Sequence, residues 1–76
     1  MSKLTPLNCK RIEKKLVKLG FVLDYTDASS ACFYVKVLEG NEVVVQVHRH
    51  PGDKGLEVIS AILRNGKIDR EDWIAA

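Results

Sequence analysis

The chain has 76 residues, 46% of them hydrophobic and 29% charged, with a formal net charge of +2. A chain this short buries only about 60% of the surface its unfolded form exposes, so one compact domain is expected, without a deep cofactor cavity. The composition suits a globular rather than a disordered or membrane-spanning chain, since no apolar run approaches the ~20 residues that a span needs.

"MSKLTPLN" lacks the apolar segment of a signal peptide. Cys9 and Cys32 are too few for a disulfide framework and form no CxxC, so a cytoplasmic location is expected. Charge is unevenly placed: six basic residues stand against Glu13 through Lys18, and six against nine acidic ones beyond it. A basic segment on a near-neutral domain is the pattern of a contact with a polyanion or an acidic protein. A solvated helix face is the plainer reading of the same run.

From Asn8 to Leu19, Cys9, Ile12, Leu16 and Leu19 recur at helical spacing. Asn8 can cap this helix, and Gly20 suits the left-handed residue that closes it. Lys10, Lys14 and Lys18 then stand on one face, with Arg11 and Lys15 in the adjoining row. "FVLDYT" alternates as a strand, with Phe21, Leu23 and Tyr25 on one side. "DASSA" is a polar connection. "CFYVKVL" is a second strand with Phe33, Val35 and Val37 inward, and "EVVVQVH" a third with Val43, Val45 and Val47 inward. Glu39-Gly40-Asn41 forms the turn between them.

Pro51 ends the sheet, since it has no amide hydrogen to donate. A second helix follows, capped by Asp53 and striped by Leu56, Ile59, Ile62 and Leu63, with Gly66 closing it. "DREDWI" is a short third helix capped by Asp69. The order predicts an α+β fold in which helices cover one face of a three-stranded antiparallel sheet. The open face would carry Asp24, Thr26, Tyr34, Lys36, Gln46 and His48.

His48 and His50 lack a convergent third ligand beyond Asp53, so no metal and no cofactor are expected. His48, at a strand end, is a candidate general acid or base that titrates near neutrality. Ser29 and Ser30 lack the GxSxG elbow of a serine nucleophile. Both cysteines read as small apolar side chains. No phosphate-binding glycine loop occurs.

"LNCKRIEKKLVKLGFVL" resembles the opening helix and first strand of the HicA family of bacterial toxins. "VHRHPGDKGLEVISAILRNGKIDREDWI" is similar to that family's second half, with Ile62, Leu63, Arg64 and Gly66 at the matching places. The resemblance spans positions 7 to 74. It implies a fold related to double-stranded-RNA-binding domains and metal-independent cleavage of messenger RNA. It also implies a HicB-like antitoxin as partner.

The family's Gly-Ser-His-His stretch falls on Ala28-Ser29-Ser30-Ala31. Ser30 therefore occupies the catalytic position without the histidine that acid–base chemistry needs. A strand register summing near 80 would set His48 opposite Cys32, within two residues of Ser30. His48 is then the candidate substitute.

The expected function is HicA-like RNA binding with ribonuclease activity lost or reduced. Lys10, Arg11, Lys14, Lys15 and Lys18 would contact phosphate, and Lys36 would add a cation on the open face. The alternatives are an active messenger-RNA-cleaving toxin using His48, and an interaction module for an acidic partner.

Overall fold

The Asn8 side-chain oxygen accepts the Arg11 amide at 2.9 Å and starts helix α1, Cys9–Lys18. The computed structural model describes residues 4–49 and 51–76. Gly20 ends α1 in a left-handed conformation (φ +95°). Its amide donates to Val17, and the next amide, Phe21, donates to Leu16. Both bonds satisfy carbonyls that the helix end would otherwise leave open.

Directly before α1, strand β1 (Leu7–Asn8) pairs antiparallel with a later strand at Asp53–Lys54. This short ladder corrects the role expected of Asp53. It stands opposite Asn8, and Gly55 takes the N-cap of the second long helix without a side-chain cap.

The main sheet has the order β2 (Val22–Thr26), β3 (Ala31–Leu38), β4 (Asn41–His48), all antiparallel. Its register is decided by the β3–β4 turn. Glu39 (φ +52°) and Gly40 (φ +80°) are both left-handed, so two residues alone connect the strands, in the turn that matches strand twist. Leu38 consequently pairs with Asn41, Lys36 with Val43, Tyr34 with Val45 and Cys32 with Val47.

This is one residue away from the expected pairing, and such a slip exchanges the faces of a whole strand. Val43, Val45 and Val47 point inward as expected, but Cys32, Tyr34 and Lys36 accompany them. Phe33, Val35 and Val37 lie on the open face instead, where Val37 is 71% exposed. In β2 the register shifts between Leu23 and Tyr25, setting Leu23 opposite Tyr34 and Tyr25 opposite Phe33. The shared face expected for Phe21, Leu23 and Tyr25 is broken by that bulge. The Tyr25 and Phe33 rings stack with centroids 4.5 Å apart.

The strand Asp53–Lys54 is β5, and helices α2 (Leu56–Asn65) and α3 (Arg70–Ala75) follow. The Asp69 carboxylate accepts from the Glu71 amide and caps α3 as expected. After α2 the left-handed residue is Lys67 (φ +51°), not Gly66. Gly66 is needed for a different reason: a Cβ there would meet Val45 Cγ2 at 2.9 Å. The turn passes too close to the sheet for any side chain.

The core lies between the sheet and the helices. Ile12 and Leu16 of α1, Ile59, Ile62 and Leu63 of α2, and Trp73 of α3 pack on Cys32, Tyr34 and the three inward valines. The fold is α+β with all three helices contributing to one side of the sheet. Among the described residues, no helix is long and apolar enough to cross a membrane.

Candidate nucleic-acid interface

The outer surface of α1 carries Lys10, Arg11, Lys14 and Lys18, all exposed, beside Val17, which is 57% exposed. No acidic residue occupies the first turn. Lys10 and Arg11 there oppose the helix dipole, whose N-terminal end is already positive, so the local field favours anions. The one carboxylate of the helix, Glu13, borders the same surface as Lys10 and Lys14 but is engaged by the sheet. Arg49 donates to it through Nε and Nη2, the latter at 2.7 Å to Oε1, and the Tyr34 hydroxyl donates to the same Oε1 at 2.5 Å. Among the described residues, Lys10, Arg11, Lys14 and Lys18 have no ion-pair partner.

The Glu13–Tyr34–Arg49 cluster bridges α1 to the sheet at one end of β4. Burial acts to raise the Glu13 carboxyl. The hydrogen bonds from Arg49 and Tyr34, with the Arg49 charge, outweigh it and hold the group below its ordinary value. Burial, the hydrogen bond to Glu13 and its negative charge push the Tyr34 phenol up to about 12. Glu13 also raises Arg49, which stays charged. Neither Tyr34 nor Arg49 stood out in the sequence. Only Glu13, a lone acid in a basic helix, gave a signal.

Two expected phosphate ligands serve the fold instead. Lys15 donates to the carbonyl oxygens of Trp73 and Ala76, both at 3.0 Å, and lies against the Trp73 ring. Lys36 sits on the helix-covered face, where its ammonium donates to the Leu19 carbonyl at 2.8 Å beside the Phe21 ring. The open-face positions expected for Tyr34 and Lys36 are thereby corrected. Each amine satisfies a carbonyl at a helix end.

Shallow grooves flank the cations. One, about 520 Å³, runs along Lys10, Glu13, Lys14, Val17 and Lys18 to Tyr34. Another, about 340 Å³, joins Cys9, Lys10 and Glu13 to Arg49. A further one, about 330 Å³, lies along Arg11, Lys14, Lys15 and Lys18 beside Ala76. These are open grooves rather than closed pockets.

Ser30 lies in the loop between β2 and β3, with φ +66°. Asp27 organises this loop: its Oδ1 accepts the Ser29 amide at 2.9 Å, the Ser29 hydroxyl at 2.7 Å and the Ala31 amide at 3.1 Å. The Ser29 hydroxyl is the largest influence holding Asp27 below its ordinary carboxylate value. The Ala31 amide and the charge of His48 act in the same direction.

The Ser30 carbonyl accepts from Arg49, and His48 stands opposite Ala31 rather than Cys32. Ser30 and His48 are therefore diagonal neighbours at one end of the β3–β4 ladder, close to Asp27. His50 lies outside the described residues. Among those residues, no group of three His, Cys, Asp or Glu could hold a metal ion. Comparison with known protein families, characterised proteins and solved structures finds no match.

Proposed function

We propose that the chain is a HicA-like RNA-binding domain, related in fold to double-stranded-RNA-binding domains, whose ribonuclease activity is absent or reduced. One observation carries this reading. The only carboxylate of α1 is held by Arg49 and Tyr34, which leaves Lys10, Arg11, Lys14 and Lys18 without an ion pair on one exposed surface. Four cations on a rigid helix fit the regular phosphates of a nucleic acid backbone, which they position without reading base identity. Recognition through the shape of an RNA helix suits such a surface. A HicB-like antitoxin belongs to the same proposal as protein partner. Reduced cleavage is inferred from Ser30, which puts no acid–base group at the expected catalytic position; His48, its diagonal neighbour, would have to supply that chemistry instead.

The test is the replacement of Lys10, Lys14 and Lys18 by glutamine, with RNA affinity measured across several salt concentrations. Each lost phosphate contact should lower the log–log salt slope by about 0.7–0.9. An unchanged slope would remove these lysines from any nucleic acid contact.

A further inference from the structure

The two outer strands of the sheet are built differently. β2 spans only Val22–Thr26 and is broken by its register shift. β4 runs from Asn41 to His48 without a bulge, proline or lysine, paired with β3 along its whole length. Exposed sheet edges are normally blunted by such devices, since their unpaired backbone groups accept another strand. The β2 edge is short and broken, whereas β4 is long and regular, with Glu42 as its one formal charge and Lys54 beside its Gln46–His48 end.

The register fixes which groups β4 presents. The Arg49 amide donates inward to Ser30, so alternate residues Val47, Val45 and Val43 also bond toward β3. The amide and carbonyl groups of Glu42, Val44 and Gln46 therefore point outward. Those of Val44 and Gln46 have no backbone partner among the described residues. Beneath this edge, a cleft of about 260 Å³ separates β4 from α2, lined by Gln46, Val47, His48, Lys54, Val58 and Ile62. It leaves room for the side chains of an added strand.

The geometry points to a second copy of this chain as the occupant, its β4 pairing antiparallel with β4 about a twofold axis at Val45. In that register Val44 faces Gln46 of the second copy, and both exchange outward hydrogen bonds. Val43 meets Val47 of the second copy on the core side. Glu42 meets His48 of the second copy, so the acidic end of each strand lies against the imidazole end of the other. Asn41 faces Arg49 of the second copy, and no like charges are opposed. Sliding the strands by two residues shortens the ladder and separates Glu42 from the histidine. Sliding by one turns the valines to the wrong face.

The product is a continuous antiparallel sheet of two three-stranded halves, with both α1 helices on the same side. The pairing stands apart from the RNA reading, although it would double the cations shown on one side.

Sedimentation equilibrium of the full chain over a wide concentration range tests the pairing. A reversible monomer–dimer equilibrium is expected. Gln46→Pro removes an outward amide, which an edge strand tolerates, and should weaken the dimer at least tenfold while circular dichroism stays unchanged. Should that variant fold poorly, Val44→Lys places an edge charge with the same expected effect.

The double variant Val44→Cys/Gln46→Cys reports the register. Hydrogen-bonded antiparallel partners have Cα atoms about 5.5 Å apart, which suits a disulfide. Mild oxidation should yield a linked dimer that wild type, treated alike, does not form. A wild type that stays monomeric throughout overturns the inference. So does a dimer that survives both edge substitutions, or a cysteine pair that does not cross-link.

Discussion

Glu13 and Arg49, far apart in the chain, meet at 2.7 Å where α1 crosses the end of β4. The Glu13 side chain keeps only 12% of its accessibility and Arg49 keeps 45%, so the pair is anchored inside and reaches outward. Removing either partner has unequal consequences. Glu13→Ala leaves the buried Tyr34 hydroxyl without its acceptor, which costs about 1–3 kcal/mol. Arg49→Ala leaves the Tyr34–Glu13 bond in place and should cost less. A double-mutant cycle followed by urea unfolding should return a favourable coupling between the two residues. Simple additivity would reduce the contact to a surface pair.

The same cluster predicts how stability varies with pH. Glu13 and Asp27 are depressed in the folded state, so their contribution is present above the ordinary carboxylate range and is lost as pH falls through the lowered values. Tyr34 is raised to about 12, so its contribution is complete below the unfolded value of about 10 and disappears as pH rises toward 12. Urea midpoints measured at stepped pH should fall at both ends. Tyr34→Phe should remove the Tyr34 part of the alkaline limb and, through the lost bond to Glu13, weaken the acid limb as well; an unaltered alkaline limb would assign it to other groups.

The Glu39-Gly40 turn holds a glutamate in a left-handed conformation that favours glycine or asparagine. Glu39→Asn should raise stability by about 0.5–1 kcal/mol without altering the register. Thermal unfolding measures it. A decrease would mean that the glutamate makes a compensating contact.

Ser30 offers the direct test of the proposed loss of a catalytic histidine. Its left-handed backbone is one that histidine adopts more readily than most residues, so Ser30→His should fold. A labelled RNA incubated with this variant should be cut, since a placed acid–base group supplies about 10²- to 10⁴-fold. His48→Ala should leave wild-type behaviour unchanged. If wild type already cleaves and His48→Ala stops it, the inactive reading gives way to an active enzyme using His48.

The helices were legible in the sequence because their signals are local. Asn8, Gly20 and Asp69 act on amides and carbonyls within a few residues. The face of β4 was legible too, but that of β3 was not, because it depends on one quantity that hydrophobicity does not encode: whether the β3–β4 turn has two residues or three. Phe33, Val35 and Val37 are more apolar than Cys32, Tyr34 and Lys36, so alternation alone sends them inward. The structure reverses this because Tyr34 finds Glu13 and Lys36 finds the Leu19 carbonyl, both distant in sequence. The cationic surface of α1 was visible as periodicity. The engagement of Glu13 by Arg49 and Tyr34 was not, since that needs Arg49 to arrive from the far end of the sheet.

The pairing of Glu13 with Arg49 also bears on how the molecule approaches a partner. With positive charge gathered on α1 and a surplus of acidic residues over the rest of the chain, the protein carries a permanent electrical asymmetry. Such an object rotates in the field of a polyanion before it touches it, and arrives helix-first. Productive orientation is then selected during diffusion. The apolar outer side of the sheet, with Val22, Tyr25 and Val37, is then left trailing, away from the polyanion.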